Sequence, residues 1–121
     1  MKRPTRRPRK PNPLHVSEGF RGFILDQLEA LGEVVPRDMF GGVGLYHNAV
    51  FFGIIAGDEL YLKVDDASRP DFEGRGMHPF KPYAHRPVTM QYYAVPLDVL
   101  ESPIELAAWA RKAVAAAQRA K

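Results

Sequence analysis

Between Arg37 and Asp66 the chain places three short apolar runs behind a glycine knot, and each run is separated from the next by turn residues. The knot is Phe40-Gly41-Gly42-Val43-Gly44. The runs continue through Leu45-Tyr46, Val50-Phe51-Phe52-Gly53-Ile54-Ile55 and Leu60-Tyr61-Leu62-Lys63-Val64. His47-Asn48-Ala49 and Ala56-Gly57-Asp58 fall between the runs and are too short for anything but tight hairpin turns. A stretch of this kind folds as an antiparallel meander, with strands expected at Val34–Met39, Val43–His47, Val50–Ala56 and Glu59–Val64.

Helical patterns flank the meander. Ser17 is a candidate N-cap, and Phe20, Ile24, Leu28 and Leu31 recur at helical spacing up to a stop at Gly32. This predicts a first helix of about 15 residues. Ser68-Arg69-Pro70-Asp71 predicts a short helix capped by Ser68 and closed by Gly74 or Gly76. Residues 77–87 read as an irregular connection, because Pro79, Pro82 and Pro87 interrupt it. Val88–Val95 alternates as a strand. Ser102-Pro103-Ile104-Glu105 then opens an Ala-rich last helix with Leu106, Trp109, Ala110, Ala113 and Ala117 on one face. Helix, three or four strands, helix, one or two strands, helix is an α+β order. It implies a two-layer sandwich, an antiparallel sheet with helices on one face.

Side-chain alternation sorts the faces. Leu60, Leu62 and Val64 point to the core, so Tyr61 and Lys63 point away. The same count from Val88 puts Met90 and Tyr92 inside and Thr89, Gln91 and Tyr93 outside. Val50–Ile55 is apolar on both parities, so its outer side needs a cover: a second subunit, a loop or a ligand. Tyr46, Tyr61, Lys63 and Tyr93 are therefore the candidate partner or ligand face, with Arg37, Lys81 and Arg86 as neighbouring cations. A homodimer is the simplest such partner.

Charge is unevenly distributed. The 121 residues hold 17 Lys/Arg and 14 Asp/Glu, net +3. Lys2, Arg3, Arg6, Arg7, Arg9 and Lys10 supply six of the cations before any acid appears, which leaves eleven cations against fourteen acids, a net of −3, in the rest. Residues 1–13, basic and proline-rich, are expected to be a disordered tail ahead of a domain at 14–121. That tail could hold nucleic acid weakly and without base preference. The globule itself has no bulk charge to attract nucleic acid.

The sequence offers little for catalysis. The chain has no Cys, which removes thiol nucleophiles and thiolate metal sites and makes a reducing cytoplasm the expected compartment. The basic start is followed by no apolar run of signal type, and no stretch approaches membrane-spanning length. His15, His47, His78 and His85 stand singly, without metal-ligand spacing. Phe40, Gly41, Gly42 and Gly44 precede a strand rather than a helix, so they read as a structural bend and not a phosphate loop. No catalytic, metal or cofactor residues are assigned, and a non-enzymatic protein is expected.

Arg37-Asp38-Met39-Phe40-Gly41-Gly42-Val43-Gly44-Leu45-Tyr46 resembles the opening motif of the N-terminal domain of the TfoX/Sxy competence regulators. Leu60-Tyr61-Leu62-Lys63-Val64-Asp65 is similar to that family's next signature. Phe80, Tyr92-Tyr93 and Pro96 match its Pro-Phe turn and Tyr-rich strand, and the likeness covers about residues 17–117. The resemblance implies an α-β(3)-α-β(2)-α sandwich in a bacterial protein and a link to transcription regulation in competence. It brings no catalytic residues. In these regulators a C-terminal helical domain usually follows, and a chain ending at Lys121 is expected to lack it. Asn48-Ala49 stands where relatives often have a glycine second, so Asn48 is expected to take a positive φ. Three readings follow: a regulatory or interaction module, a nucleic-acid-associated protein working through its tail, and a small-ligand domain using the outer sheet face.

Overall fold

The computed structural model describes residues 15–39, 41–81 and 91–120. The basic tail, Phe40 and the segment 82–90, with Val88, Thr89, Met90 and Arg86, lie outside the described residues. Helix α1 (Glu18–Gln27) leads into a single 3₁₀ turn, Glu29–Leu31. Strands β1 (Val35–Met39), β2 (Gly42–His47), β3 (Val50–Ala56) and β4 (Glu59–Lys63) follow, then helix α2 (Arg69–Glu73), strand β5 (Tyr92–Ala94), the single turn α3 (Leu97–Leu100) and helix α4 (Pro103–Arg119). The five strands form one antiparallel sheet in chain order. The α+β class and antiparallel sheet are those expected from the sequence, with four strands before α2 and one described after it.

The β2–β3 and β3–β4 turns each have two central residues at positive φ: Asn48 at 51° with Ala49 at 65°, and Gly57 at 57° with Asp58 at 58°. Two-residue turns of this hand match the right-handed twist of the strands they join. Asn48 takes the positive φ expected of it, and Ala49 takes one as well. The Asp58 carboxylate accepts from Ser17 N–H at 3.0 Å, tying the second turn to the start of α1.

Helix boundaries depart from the sequence reading in two places. The first helix is ten residues, not about fifteen, because the chain tightens to a 3₁₀ turn after Leu28 and stops at Gly32, φ 116°. Ser68 stands at the N-cap of α2 as expected, but its side chain makes no bond into the helix. It turns back to Asp65 instead: Asp65 Oδ1 accepts from Ser68 N–H at 3.0 Å, and Ser68 Oγ accepts from Asp65 N–H at 3.1 Å. This reciprocal box starts the turn three residues earlier, with Arg69 N–H already bonded to Asp65 O at 2.9 Å. The helix closes at Gly76, φ 74°, where Met77 N–H reaches Phe72 O at 3.1 Å. That is the six-to-one bond of a left-handed helix stop.

All four helices lie on one face of the sheet. Ile24 and Leu28 from the α1 region, Phe72 from α2, Val99 and Leu100 from α3, and Leu106, Ala110 and Ala113 from α4 close over Val43, Leu45, Phe52, Ile55, Leu60, Leu62 and Val64. Small residues on α4 let its backbone sit close to the strands, and Trp109 meets the Phe72 ring edge-on at 4.8 Å from the half-buried rim. Ser102 Oγ caps α4 by accepting from Glu105 N–H at 3.2 Å, the bond its sequence called for.

Candidate interaction face on the outer side of the sheet

The face turned away from the helices is built by register. Tyr46 lies opposite Phe51, Ile54 opposite Tyr61, and Lys63 opposite Tyr92, and directly paired residues of an antiparallel sheet share a face. The ladder slips between Leu45 and Tyr46, so that Phe52 and Gly53 together span one step of β2. The bulge drives Phe52 into the helix-side core while Phe51 stays outside. A run apolar on both parities is thus used on both faces.

Half of this outer face has a cover, and the cover is a loop. Residues 78–80 run along β5: Phe80 N–H donates to Tyr92 O at 2.7 Å and Ala94 N–H to His78 O at 3.0 Å. Phe80, only 2% exposed, packs with Ile54, Ala56 and Tyr92, its ring 5.0 Å from Tyr61. Of the covers expected for β3, the loop supplies this half.

Across the hairpin end, the rings form a continuous row. Arg37 Cζ stands 5.6 Å from the centre of Tyr46, Tyr46 stacks on Phe51 at 5.1 Å, Phe51 leans on Tyr92 at 5.3 Å, and Lys63 Nζ lies 5.3 Å from the Tyr92 centroid. Tyr46, Phe51 and Lys63 are part-exposed and Arg37 is exposed. Among the described residues neither Arg37 nor Lys63 makes an ion pair. Gly44 makes room in this row: a Cβ there would lie 3.0 Å from Met39 Sδ and 3.2 Å from a Phe51 ring carbon.

Tyrosine ionisation reflects the same packing. Burial, reinforced by the Glu59 carboxylate, pushes the Tyr61 hydroxyl up to about 12. Burial chiefly pushes Tyr92 up to about 12 as well, with Tyr46 beside it. Both stay neutral at any physiological pH and serve as rings and hydroxyl donors, not as bases.

Tyr93 does not belong to this face. It pairs with Leu62, enters the helix-side core at 9% exposure, and its hydroxyl donates to Glu73 Oε2 at 2.7 Å. That bond to a carboxylate raises its pKa. Tyr92 takes the outer position at 5% exposure. Two adjacent buried tyrosines, one per layer, gave the alternation no polar member to orient it. Tyr46, Tyr61 and Lys63 are on the expected face. Phe51 and Tyr92 were missed, although the doubly apolar run held the signal for Phe51.

The glycine knot is a bend, with Gly41 at φ 81° and Gly42 already in β2 opposite Met39. Asp65 is used structurally. Arg119 donates to its Oδ2 through Nε at 3.0 Å and also through Nη2, and with the Ser68 bonds this holds the carboxyl down at about 2. Among the described residues there is no cluster of acids and histidines able to hold a metal, and no helix is long and apolar enough to cross a membrane.

Comparison with known proteins agrees with this architecture. The TfoX N-terminal domain family matches residues 26–117, from the end of α1 to the last turns of α4. The DNA transformation protein TfoX1 of Aliivibrio fischeri (strain ATCC 700601 / ES114) is 33% identical over 67 residues, which is 55% of this chain and 30% of that protein. The match therefore spans less than a third of the relative's length. The glycine bend, the meander and the closing helix all fall inside the matched region, and the chain belongs to the TfoX N-terminal domain family.

Proposed function

We propose that this protein is a non-enzymatic regulatory module that acts in competence for DNA transformation, working by contact through the outer face of its sheet. The row from Arg37 to Lys63 carries the reading. A row of rings, part-exposed at Tyr46 and Phe51 and ended by cations with no ion pair among the described residues, suits recognition, and Tyr92 within it is held neutral. The relative's name, a DNA transformation protein, supports the pathway. Deleting the gene in its native host should lower transformation frequency at least tenfold and depress transcripts of the DNA-uptake genes. The wild-type gene should restore both. Unchanged frequency and transcripts in the deletion strain would sink the proposal.

A second reading is favoured by the charge split of the sequence: the six cations between Lys2 and Lys10 would hold nucleic acid non-specifically. Six phosphates neutralised on duplex DNA correspond to a slope of log affinity against log salt no steeper than about −5. Removing residues 1–13 should abolish that binding and leave the melting temperature in place. Retained affinity with the same slope would exclude the tail as the contact.

A further inference from the structure

We infer that the row Arg37, Tyr46, Phe51, Tyr92 and Lys63 is a docking strip for single-stranded nucleic acid. Unpaired bases stack on the Tyr46 and Phe51 rings, and backbone phosphates meet the two cations. This goes beyond the competence reading and stands without it, because it rests on the rings and charges of the outer face alone. The rings lean on one another at 5.1 and 5.3 Å in an offset row that crosses the strands, and Tyr46 and Phe51 leave part of their rings open to solvent. Every base has a π face, and a sheet with part-exposed aromatics offers stacking without base preference.

Charge selects the occupant. Both ends of the row are cationic, and neither cation has an acid partner among the described residues. A second copy laid face to face would bring cations to cations with no carboxylate in the row to meet them. The outer-face acid, Glu59, sits at the far end of β4 against His78, at 3.5 Å. A chain of phosphates joined to planar bases complements both features at once. Duplex DNA does not, since its bases are already paired and stacked inside the helix and none is free to reach the rings.

The test is fluorescence anisotropy of the full chain with a labelled oligothymidylate of about 20 nucleotides, and with a duplex of equal length, over a salt series. Wild type should bind the single strand more tightly than the duplex. Tyr46→Ala should weaken single-strand binding about tenfold, while Tyr46→Phe, which keeps the ring, should retain it. Arg37→Glu with Lys63→Glu should weaken it at least tenfold and flatten the salt slope by about 1.4, two phosphates on a single strand. Arg111→Glu, on the exposed side of α4, controls for net charge and should change affinity by much less. The basic tail is present in every variant, so the differences report the face. Equal affinity for single strand and duplex would overturn the inference. So would indifference to Tyr46→Ala in a protein that melts normally. A wild type that sediments as a dimer, with Tyr46→Ala a monomer, would do so too by assigning the face to a second copy.

Discussion

Phe51 and Phe52 are adjacent in sequence, yet one lies on a half-open row of rings and the other in a sealed aliphatic core. The two faces of this sheet are finished differently. On the helix side, Leu, Ile, Val and closely spaced Ala fill the space between layers, and buried residues such as Leu45, Phe52 and Leu62 are fully excluded from solvent. On the outer side, aromatic rings lean on one another and the loop residue Phe80 closes one half. The first face is a solution to folding. The second keeps apolar surface within reach of solvent, as the proposed contact through this face requires.

The neighbouring phenylalanines offer the largest contrast. Phe52→Ala should cost about 3–5 kcal/mol in denaturant melts, because it empties a rigid, fully buried site. Phe51→Ala should cost about 1–2 kcal/mol, the loss of a part-buried ring and its stacking. Equal losses would show that the outer face is packed as tightly as the inner one, and the distinction between them would fall.

Alkali should probe the outer face next. Tyr61 and Tyr92 are raised to about 12 from an ordinary 10. Their neutral forms favour the folded state, so the stability they lend is whole below pH 10 and is lost as pH rises through 12. Tyrosinate absorbance at 295 nm from Tyr61 and Tyr92, read as the difference from their Phe variants, should therefore appear only as pH approaches 12 and coincide with loss of the sheet signal in circular dichroism. If Tyr61 and Tyr92 titrate near the ordinary value while the fold persists, the outer rings are not desolvated as described.

How much of this was legible in the sequence follows the same division. The meander could be read because Asn48-Ala49 and Gly57-Asp58 leave room only for two-residue turns, and because Leu60, Leu62 and Val64 alternate with polar or amphipathic neighbours. The cap of α4 was legible because Ser102, Pro103 and Glu105 satisfy three local rules together. The outer face was hard to read, since alternation needs a polar partner and Tyr92-Tyr93 has none. The bulge at Phe52-Gly53 breaks the count of two on which any parity argument depends. Phe80 sits in a proline-punctuated stretch whose role appears only once it folds back along β5. Ser68 holds the cap position of α2, yet its hydroxyl is taken up by Asp65, because an aspartate and a serine three apart satisfy each other, and no local rule chooses between that bond and one into the helix.

A smaller effect tests whether the two faces share one frame. Ala49 adopts φ 65° in the β2–β3 hairpin, a conformation that costs an L-residue about 1–2 kcal/mol. Glycine removes that strain and gives back part of the gain through a more flexible unfolded chain. Ala49→Gly should therefore stabilise the protein by about 0.5–1 kcal/mol, with no change in the alkaline titration of the outer tyrosines. A shifted titration would mean the strained turn also sets the spacing of the ring row.

Acid probes the helix side, and its effect should be the smallest. The Asp65 carboxyl is held at about 2, below the ordinary 3.8, first by the Arg119 side chain and then by the Ser68 bonds. A depressed carboxylate lends stability that is complete above its unfolded value and disappears as pH falls through the folded one. Whatever Asp65 contributes should therefore persist at pH 5 and fade between about 4 and 2. The pair sits at the solvent edge of the α2–α4 contact, with Arg119 largely exposed, so solvent screening keeps the gain small. Arg119→Ala should raise the midpoint of acid unfolding slightly while leaving the neutral melting temperature almost unchanged. It should leave the alkaline titration of Tyr61 and Tyr92 untouched, because the clasp lies on the other layer. An acid midpoint identical to wild type would show that the Asp65–Ser68 box alone holds the carboxylate, and that Arg119 merely rests against it.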